Sequence, residues 1–196
     1  MSKRSIAPLA NGRVRLRLLE ESDLPMTLAW RNQDHIRRWF LTSDLISPEQ
    51  HRAWFERYKD RDDDFVFVIE ETETLNRAVG QVSLYHIDWA AGRAQFGRLM
   101  IGDGHARGLG LAKLATACLV GEALTTWGLR EVYLECLASN VPALAVYDAC
   151  GFRQSGQFGE TLRMTTESRR TSLEPFSSLG QECGECGSSR LLIRRS

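Results

Sequence analysis

Two stretches of this chain carry residue types whose spacing could do chemistry. The first is Gly102-Asp-Gly-His-Ala-Arg-Gly-Leu-Gly110, too rich in glycine for regular structure and followed at once by an apolar helical pattern. The first amides of a helix lack internal partners and point along the positive end of its dipole, so a glycine turn feeding a helix start can cradle an anion. Gly108 and Gly110 leave no Cβ in the anion's path, and Arg107 adds a full charge. The loop lacks the Lys-Ser/Thr pair of a Walker loop, and Gly102 and Gly104 lie too far before the helix for a GxGxxG turn. Alone, it reads equally well as a tight turn. The second stretch, Asn140-Val-Pro-Ala143 through Tyr147 to Gly151-Phe152, is a capped helix running into a strand. Asn140 and Tyr147 are two helical turns apart and share a face. Alone, they read as a cap and a half-buried tyrosine.

The elements that must position these stretches follow from pattern. Arg13 to Leu19 alternates apolar and basic residues, as a half-buried strand does, and Ser22-Asp23 with Pro25 opens a helix. Ser47-Pro48-Glu49-Gln50 is a sharper start signal, with Trp54, Phe55 and Tyr58 on one face behind it. Phe65 to Ile69 is a continuous apolar run rich in strand formers, and Val79–Ile87 and Ala94–Ile101 read as two further strands. From Leu109 to Trp127 the chain is apolar almost all round, so this helix must be covered on most sides. Gly128 ends it, Glu131–Leu137 is again a strand, and Asn140–Ala149 is the last clear helix. The order predicts an α/β domain built on one mixed, mostly antiparallel sheet flanked by helices. A domain over residues 1–159 is expected. Residues 160–196 form an atypical C-terminal segment in which no convincing strand shows between Glu160 and Pro175.

Bulk properties bound the reading. The 196 residues carry 25 Lys plus Arg against 25 Asp plus Glu, so no overall charge argues for nucleic acid or an anionic membrane. No apolar run approaches the ~20 residues of a membrane span, and the start does not read as a signal peptide, so a cytoplasmic protein is expected. Of five cysteines, Cys118, Cys136 and Cys150 sit in apolar patterns and read as buried thiols. The Cys183–Cys186 pair lacks a second pair of ligands, and no metal site is expected.

Taken together, His105-Ala-Arg-Gly108-Leu-Gly110 and Asn140-x-x-Ala143-x-x-x-Tyr147-x-x-x-Gly151-Phe152 resemble the paired motifs of the GNAT acetyltransferases, at similar separation and in the same element order. His105 stands where that family more often has Arg or Gln. The resemblance implies the GNAT fold, with a splayed strand pair holding acetyl-CoA. It implies that the amides of Arg107, Gly108, Leu109, Gly110 and Leu111 hold the coenzyme's pyrophosphate, helped by Asn140 and Ala143, and that the backbone at Met100 or Ile101 pairs with the pantetheine arm. It further implies direct attack of an amine on the thioester, with Tyr147 protonating the departing thiolate. Many relatives carry a basic Glu where this chain has Gln95; Asp88, His86, Glu135 and Asp103 are the substitutes in reach.

The early segment Trp30-Arg31-Asn32, with Arg38-Trp39-Phe40, resembles the branch that acetylates amino sugars on nucleotide carriers. On that resemblance Trp30, Arg31, Asn32 and Arg38 contact the acceptor, a small-molecule amine such as a nucleotide-linked amino sugar, and the enzyme forms a homodimer. Two other readings stand beside it. One is an acetyltransferase for protein N-termini of the ribosomal-protein type. The other is a coenzyme A-binding regulatory module without turnover.

Overall fold

The run Phe65-Val-Phe-Val-Ile69 is apolar at both parities, and a strand buries both only when helices cover both faces of its sheet. In the computed structural model, which describes residues 3–40 and 42–167, that run lies in β3 (Asp64–Glu71). Phe65, Phe67 and Ile69 enter the main core, while Val66 and Val68 enter a second cluster with Leu19, Leu24, Phe55 and Tyr58. The alternation of a single strand therefore serves two cores.

The other strands are β1 (Leu9–Asn11), β2 (Val14–Leu18), β4 (Arg77–Asp88), β5 (Arg93–Ile101), β6 (Glu131–Leu137), β7 (Arg153–Phe158) and β8 (Thr161–Glu167). They form an eight-stranded sheet in the order β1-β2-β3-β4-β5-β6-β8-β7. Every pairing is antiparallel except β5 with β6. The helices are α1 (Leu24–Arg31), α2 (Asp34–Arg37), α3 (Pro48–Tyr58), α4 (Leu111–Thr125) and α5 (Val141–Ala149). The second cluster draws Leu24 from α1 and Phe55 and Tyr58 from α3, and α4 supplies Leu111, Ala115, Leu119, Val120 and Ala123 to the main core. This is the GNAT fold.

Each helix start has a local cause. Ser47 caps α3 by accepting from the Gln50 amide while Gln50 returns a bond to the Ser47 amide, and Pro48 fills the first position. On β2, Arg17 grips Asp23 with both guanidinium nitrogens (2.6 and 2.7 Å) and reaches Glu70 of β3 at 2.9 Å. That cluster fixes where the chain leaves the sheet to begin α1.

Two elements differ from the sequence expectation. β1 is a three-residue edge strand too short to show a period. β8 lies where the sequence allowed for a last strand but showed no convincing one, and it carries the sheet past residue 159. Along β8 only Met164 is buried, so its sequence shows no apolar alternation. It is held instead by backbone ladders to β6 on one side and β7 on the other. The Cys183–Cys186 pair lies outside the described residues.

One close approach joins α1 to the end of β5. The indole of Trp30 lies so tightly over Gly102 that an added Cβ would sit 1.9 Å from a ring carbon. Gly102→Ala is expected to destabilise the fold by about 1–3 kcal/mol through overpacking, measured by denaturant unfolding. Adding Trp30→Leu to it should return part of that loss, a coupling that a remote pair would not show.

Candidate active site

β5 and β6 are in register over only three pairs, Arg93–Glu131, Ala94–Val132 and Gln95–Tyr133. Beyond Gln95 and Tyr133 the two strands part. β6 turns its free side to β8, whereas β5 continues along β4 through a bulge. Gln81 pairs with Met100 and Ser83 with Gly97, so β5 spends one residue more than β4 across this stretch. Arg98 absorbs the kink at φ 50°, a left-handed conformation that side chains other than glycine seldom adopt. At this bulge Arg98 and Leu99 are left without a β4 partner.

Three rings fill the fork. Phe96 of β5 packs edge-on against Tyr147 of α5 at 5.9 Å, and Phe152 touches both at 5.9 and 6.0 Å. Such contacts contribute about 0.5–1.5 kcal/mol each beyond their burial. Above the rings opens a cavity of about 560 Å³, in the ordinary size range of a small-molecule site. Gln95 to Ile101 form one lip and Glu135 to Leu137 the other. Asn140, Ala143 and Tyr147 line it from α5, and Arg31, His35, Trp39, Phe40 and Thr42 from the α1–α2 region.

The glycine loop leaves the end of β5 and opens α4. Gly108 and Gly110 hold φ of +74° and +75°, and an added Cβ at either would meet nothing within 4 Å. The glycines are there for backbone conformation, and the space before the helix start is open. Gly110 caps α4 with no side chain over its first amides, and the first turn carries no acidic residue. Free amides, open space and an uncompensated dipole fit a diphosphate. Arg13 anchors the loop from behind by donating to the Leu109 carbonyl. The Arg107 side chain leans the other way, to Gln33 at 3.1 Å.

Of the residues expected at the coenzyme and the thiolate, Met100, Ile101, Asn140, Ala143 and Tyr147 line the cavity, whereas Arg107, Gly108, Leu109, Gly110 and Leu111 lie outside its lining. Asn140 caps α5 by accepting from the Ala143 amide. Of the four residues expected at the acceptor, only Arg31 lines the cavity. Trp30 is buried under Gly102, and Asn32 spends its amide on the backbone of Ile46, donating at 2.8 Å and accepting at 3.0 Å. Arg38 is exposed and lies over its neighbour Trp39. A helix turns successive residues by 100°, so Trp30, Arg31 and Asn32 cannot share one face.

The structure also brings in residues that the motifs did not flag. Tyr85 places its hydroxyl against Gly97, where a Cβ would lie 2.9 Å away. Arg98 forms a two-armed ion pair with the buried Asp64 at 2.7 and 3.1 Å, and lies 4.3 Å from the Tyr85 ring. The bulge that aims Arg98 depends on tertiary pairing and leaves no local sequence signal. Among the substitutes for a basic glutamate, Asp88 caps the Ala91 amide and Asp103 pairs with Arg77. His86 lies outside the cavity lining, bound to Gln95 at 3.1 Å. Glu135 alone of these lines the cavity, with no ion-pair partner among the described residues.

The walls hold neutral groups neutral. Burial pushes the Tyr147 phenol well above its ordinary pKa, with smaller contributions from Cys136 and Tyr85. Its hydroxyl makes no hydrogen bond among the described residues. Burial likewise lifts the Cys136 thiol to about 11, so it remains protonated at neutral pH and is a poor nucleophile.

The sheet parts after three pairs at its one parallel junction, and the strand that leaves it leads to a helix start with free first amides, an arrangement suited to a diphosphate-bearing donor. The chain belongs to the GNAT acetyltransferase family: the family described as "Acetyltransferase (GNAT) domain" matches residues 13–153. It is an N-acetyltransferase that uses acetyl-CoA as donor. The spermidine N(1)-acetyltransferase of Vibrio cholerae is 24% identical over 150 residues, covering 76% of this chain and 84% of that protein. A crystal structure of spermidine N-acetyltransferase from Vibrio cholerae, in complex with CoA and spermine, superposes with a TM-score of 0.73 at 22% identity, over 81% of this chain and 97% of the other. A domain from Methanocaldococcus jannaschii gives 0.69 at 20% identity, over 79% and 97%. The two Vibrio cholerae relatives are named for polyamines, whereas the early sequence had pointed to the amino-sugar branch.

Gly108→Glu sets a carboxylate at the mouth of the helix start, where it competes with a phosphate. The variant is expected to fold and to bind coenzyme A weaker by on the order of tenfold or more, measured by calorimetry. Unchanged affinity in a folded variant places the diphosphate elsewhere.

Proposed function

We propose that this enzyme acetylates a small-molecule amine by direct attack on the thioester, with Tyr147 as the acid and Glu135 as the acceptor of the amine's proton. The observation that carries the reading is the Tyr147 hydroxyl, on the cavity wall and without a hydrogen-bond partner among the described residues. The amides of residues 107–111 hold the diphosphate, and the unpaired β5 backbone at Arg98 and Leu99, continuing to Met100 and Ile101, takes the pantetheine arm. A backbone amide on that lip stabilises the oxyanion formed on attack.

Tyr147 must give a proton to a thiolate, and its raised pKa at first sight makes it a poor acid. The same environment acts on the thiol, however. A phenol and a thiol differ by about 1.5–2 pKa units in water, and burial lifts the Cys136 thiol in this cleft to about 11. A thiolate released against these walls is raised in parallel with the phenol, so the gap stays small enough for transfer. A protonated Cys136 agrees with a mechanism that has no covalent enzyme intermediate.

The wall argues against carrying the relatives' polyamines over to this chain. A polycation needs several carboxylates, and Glu135 is the one carboxylate on the cavity wall among the described residues, beside Arg31 and the paired Arg98. The amino-sugar reading retains Arg31 of its four residues. A peptide N-terminus is less well served, because the α1–α2 side is closed by Trp39, Phe40 and Thr42.

Release of free thiol from acetyl-CoA over a panel of amines tests the activity and separates it from a silent coenzyme-binding module. Tyr147→Phe keeps the ring in the aromatic trio and removes the proton. Its kcat is expected to fall on the order of 10²–10⁴-fold, with far smaller changes in coenzyme affinity and melting temperature. A structural tyrosine reverses that profile. Glu135→Gln is expected to lower kcat/KM on the order of 10²-fold with far smaller change in coenzyme affinity. A variant with normal kcat/KM assigns the proton to another group.

A further inference from the structure

Arg31 is the charged side chain of the cleft that the proposed chemistry does not use. Its residue is 9% exposed, yet it lies on the cavity wall. One guanidinium nitrogen, Nη2, donates to the Thr42 carbonyl, and the Phe40 ring lies 4.0 Å from the guanidinium carbon. The other, Nη1, is the one buried side-chain nitrogen or oxygen among the described residues with no hydrogen-bond partner. No carboxylate lies within ion-pair distance of it among those residues. Burial first, and then the like charge of Arg37, act against its protonated form.

A buried guanidinium is ordinarily matched by a carboxylate, as Arg98 is by Asp64 and Arg17 by Asp23 elsewhere in this chain. Arg31 breaks that rule where the wall meets the cavity. Its surroundings do not supply the missing charge. His35 is held toward its neutral form by desolvation and then by the charges of Arg107 and Arg38. Asp34, the acid of α2, is already paired with Arg37 at 2.8 Å. This side of the cavity therefore presents positive charge on a planar guanidinium whose Nη1 has no partner among the described residues. That geometry matches a carboxylate or a phosphate oxygen pair.

We infer that Arg31 selects the acceptor: the substrate is an amine whose own skeleton carries a carboxylate or phosphate, received by the Arg31 guanidinium while the amino group faces the thioester. The inference rests on the N-acetyltransferase reading and deepens it. Selection follows from both signs. A ligand anion relieves the stranded charge, and a polyamine meets like charge on the same wall.

Matched acceptors test it in the wild-type enzyme without any mutation. Glucosamine 6-phosphate is compared with glucosamine, and 4-aminobutyrate with butylamine, with spermidine as the cationic arm. The anionic member of at least one pair is expected to exceed its partner in kcat/KM by on the order of tenfold or more, chiefly through KM. The phosphate pair and the carboxylate pair tell which anion is received. In Arg31→Met the ratio should collapse towards one while coenzyme A affinity changes by less than about threefold. Arg31→Lys, which keeps the charge and loses the fork, should retain part of it. Preference for spermidine or a neutral amine, or a ratio that survives in Arg31→Met, overturns the inference alone. Should Arg31→Met fail to fold, the wild-type comparison and the lysine variant still decide. A wild-type enzyme that acetylates no amine overturns the reading beneath it as well.

Discussion

The parting of β5 from β6 after three register pairs is the constraint on which the rest of the molecule depends. Past that point alternate residues turn their backbone donors and acceptors toward the gap, and buried groups of this kind need partners. A ligand with amides of its own can supply them as an added strand. The surrounding architecture keeps the gap from closing. Phe96, Tyr147 and Phe152 wedge the fork, the Arg98 bulge turns β5, and β8 occupies the side of β6 away from the gap. The glycine loop then falls at the open end of β5, with the α4 start turned to the same cavity.

The same gap sets the electrostatics. Low-dielectric walls raise the Tyr147 phenol and the Cys136 thiol together, so the cleft favours neutral, proton-bearing groups over local anions. Charge is admitted only where it is paired, as in Arg98 with Asp64, or where it awaits a partner, as in Arg31. A cleft of this kind discriminates through what it leaves unsatisfied as much as through what it contacts.

Most elements could be read from the sequence because their signals are local. The Ser47 cap, the two-parity apolar run of β3, the all-round apolar α4 and the Asn140 cap each lie within one element. The glycine loop and Tyr147 were legible for the same reason, since each motif is a short run with a fixed spacing. β8 was hidden because its place comes from two neighbouring ladders and its own residues are mostly half-exposed. Tyr85 and Arg98 were hidden because a bulge is a property of two strands. Trp30, Asn32 and Arg38 were grouped with Arg31 by adjacency along the chain. Helical rotation separated them, sending one to the core, one to a backbone clamp and one to solvent.

The cavity wall also divides by position in the chain. Arg31, His35, Trp39, Phe40 and Thr42 all come from a stretch of twelve residues that precedes α3, whereas the β5 and β6 lips and the α5 residues follow it. Within that early stretch, side-chain bonds run mainly to itself or to the adjoining segment, such as Arg31 to Thr42 and Arg37 to Ser43, with Gln33 reaching out to Gly102 and Arg107. On the proposed role of Arg31, acceptor preference is a nearly self-contained cassette. Mutational drift or recombination in that stretch would then retune which amine is accepted without rebuilding the machinery for the acetyl donor, so one scaffold could diversify its substrates in small genetic steps.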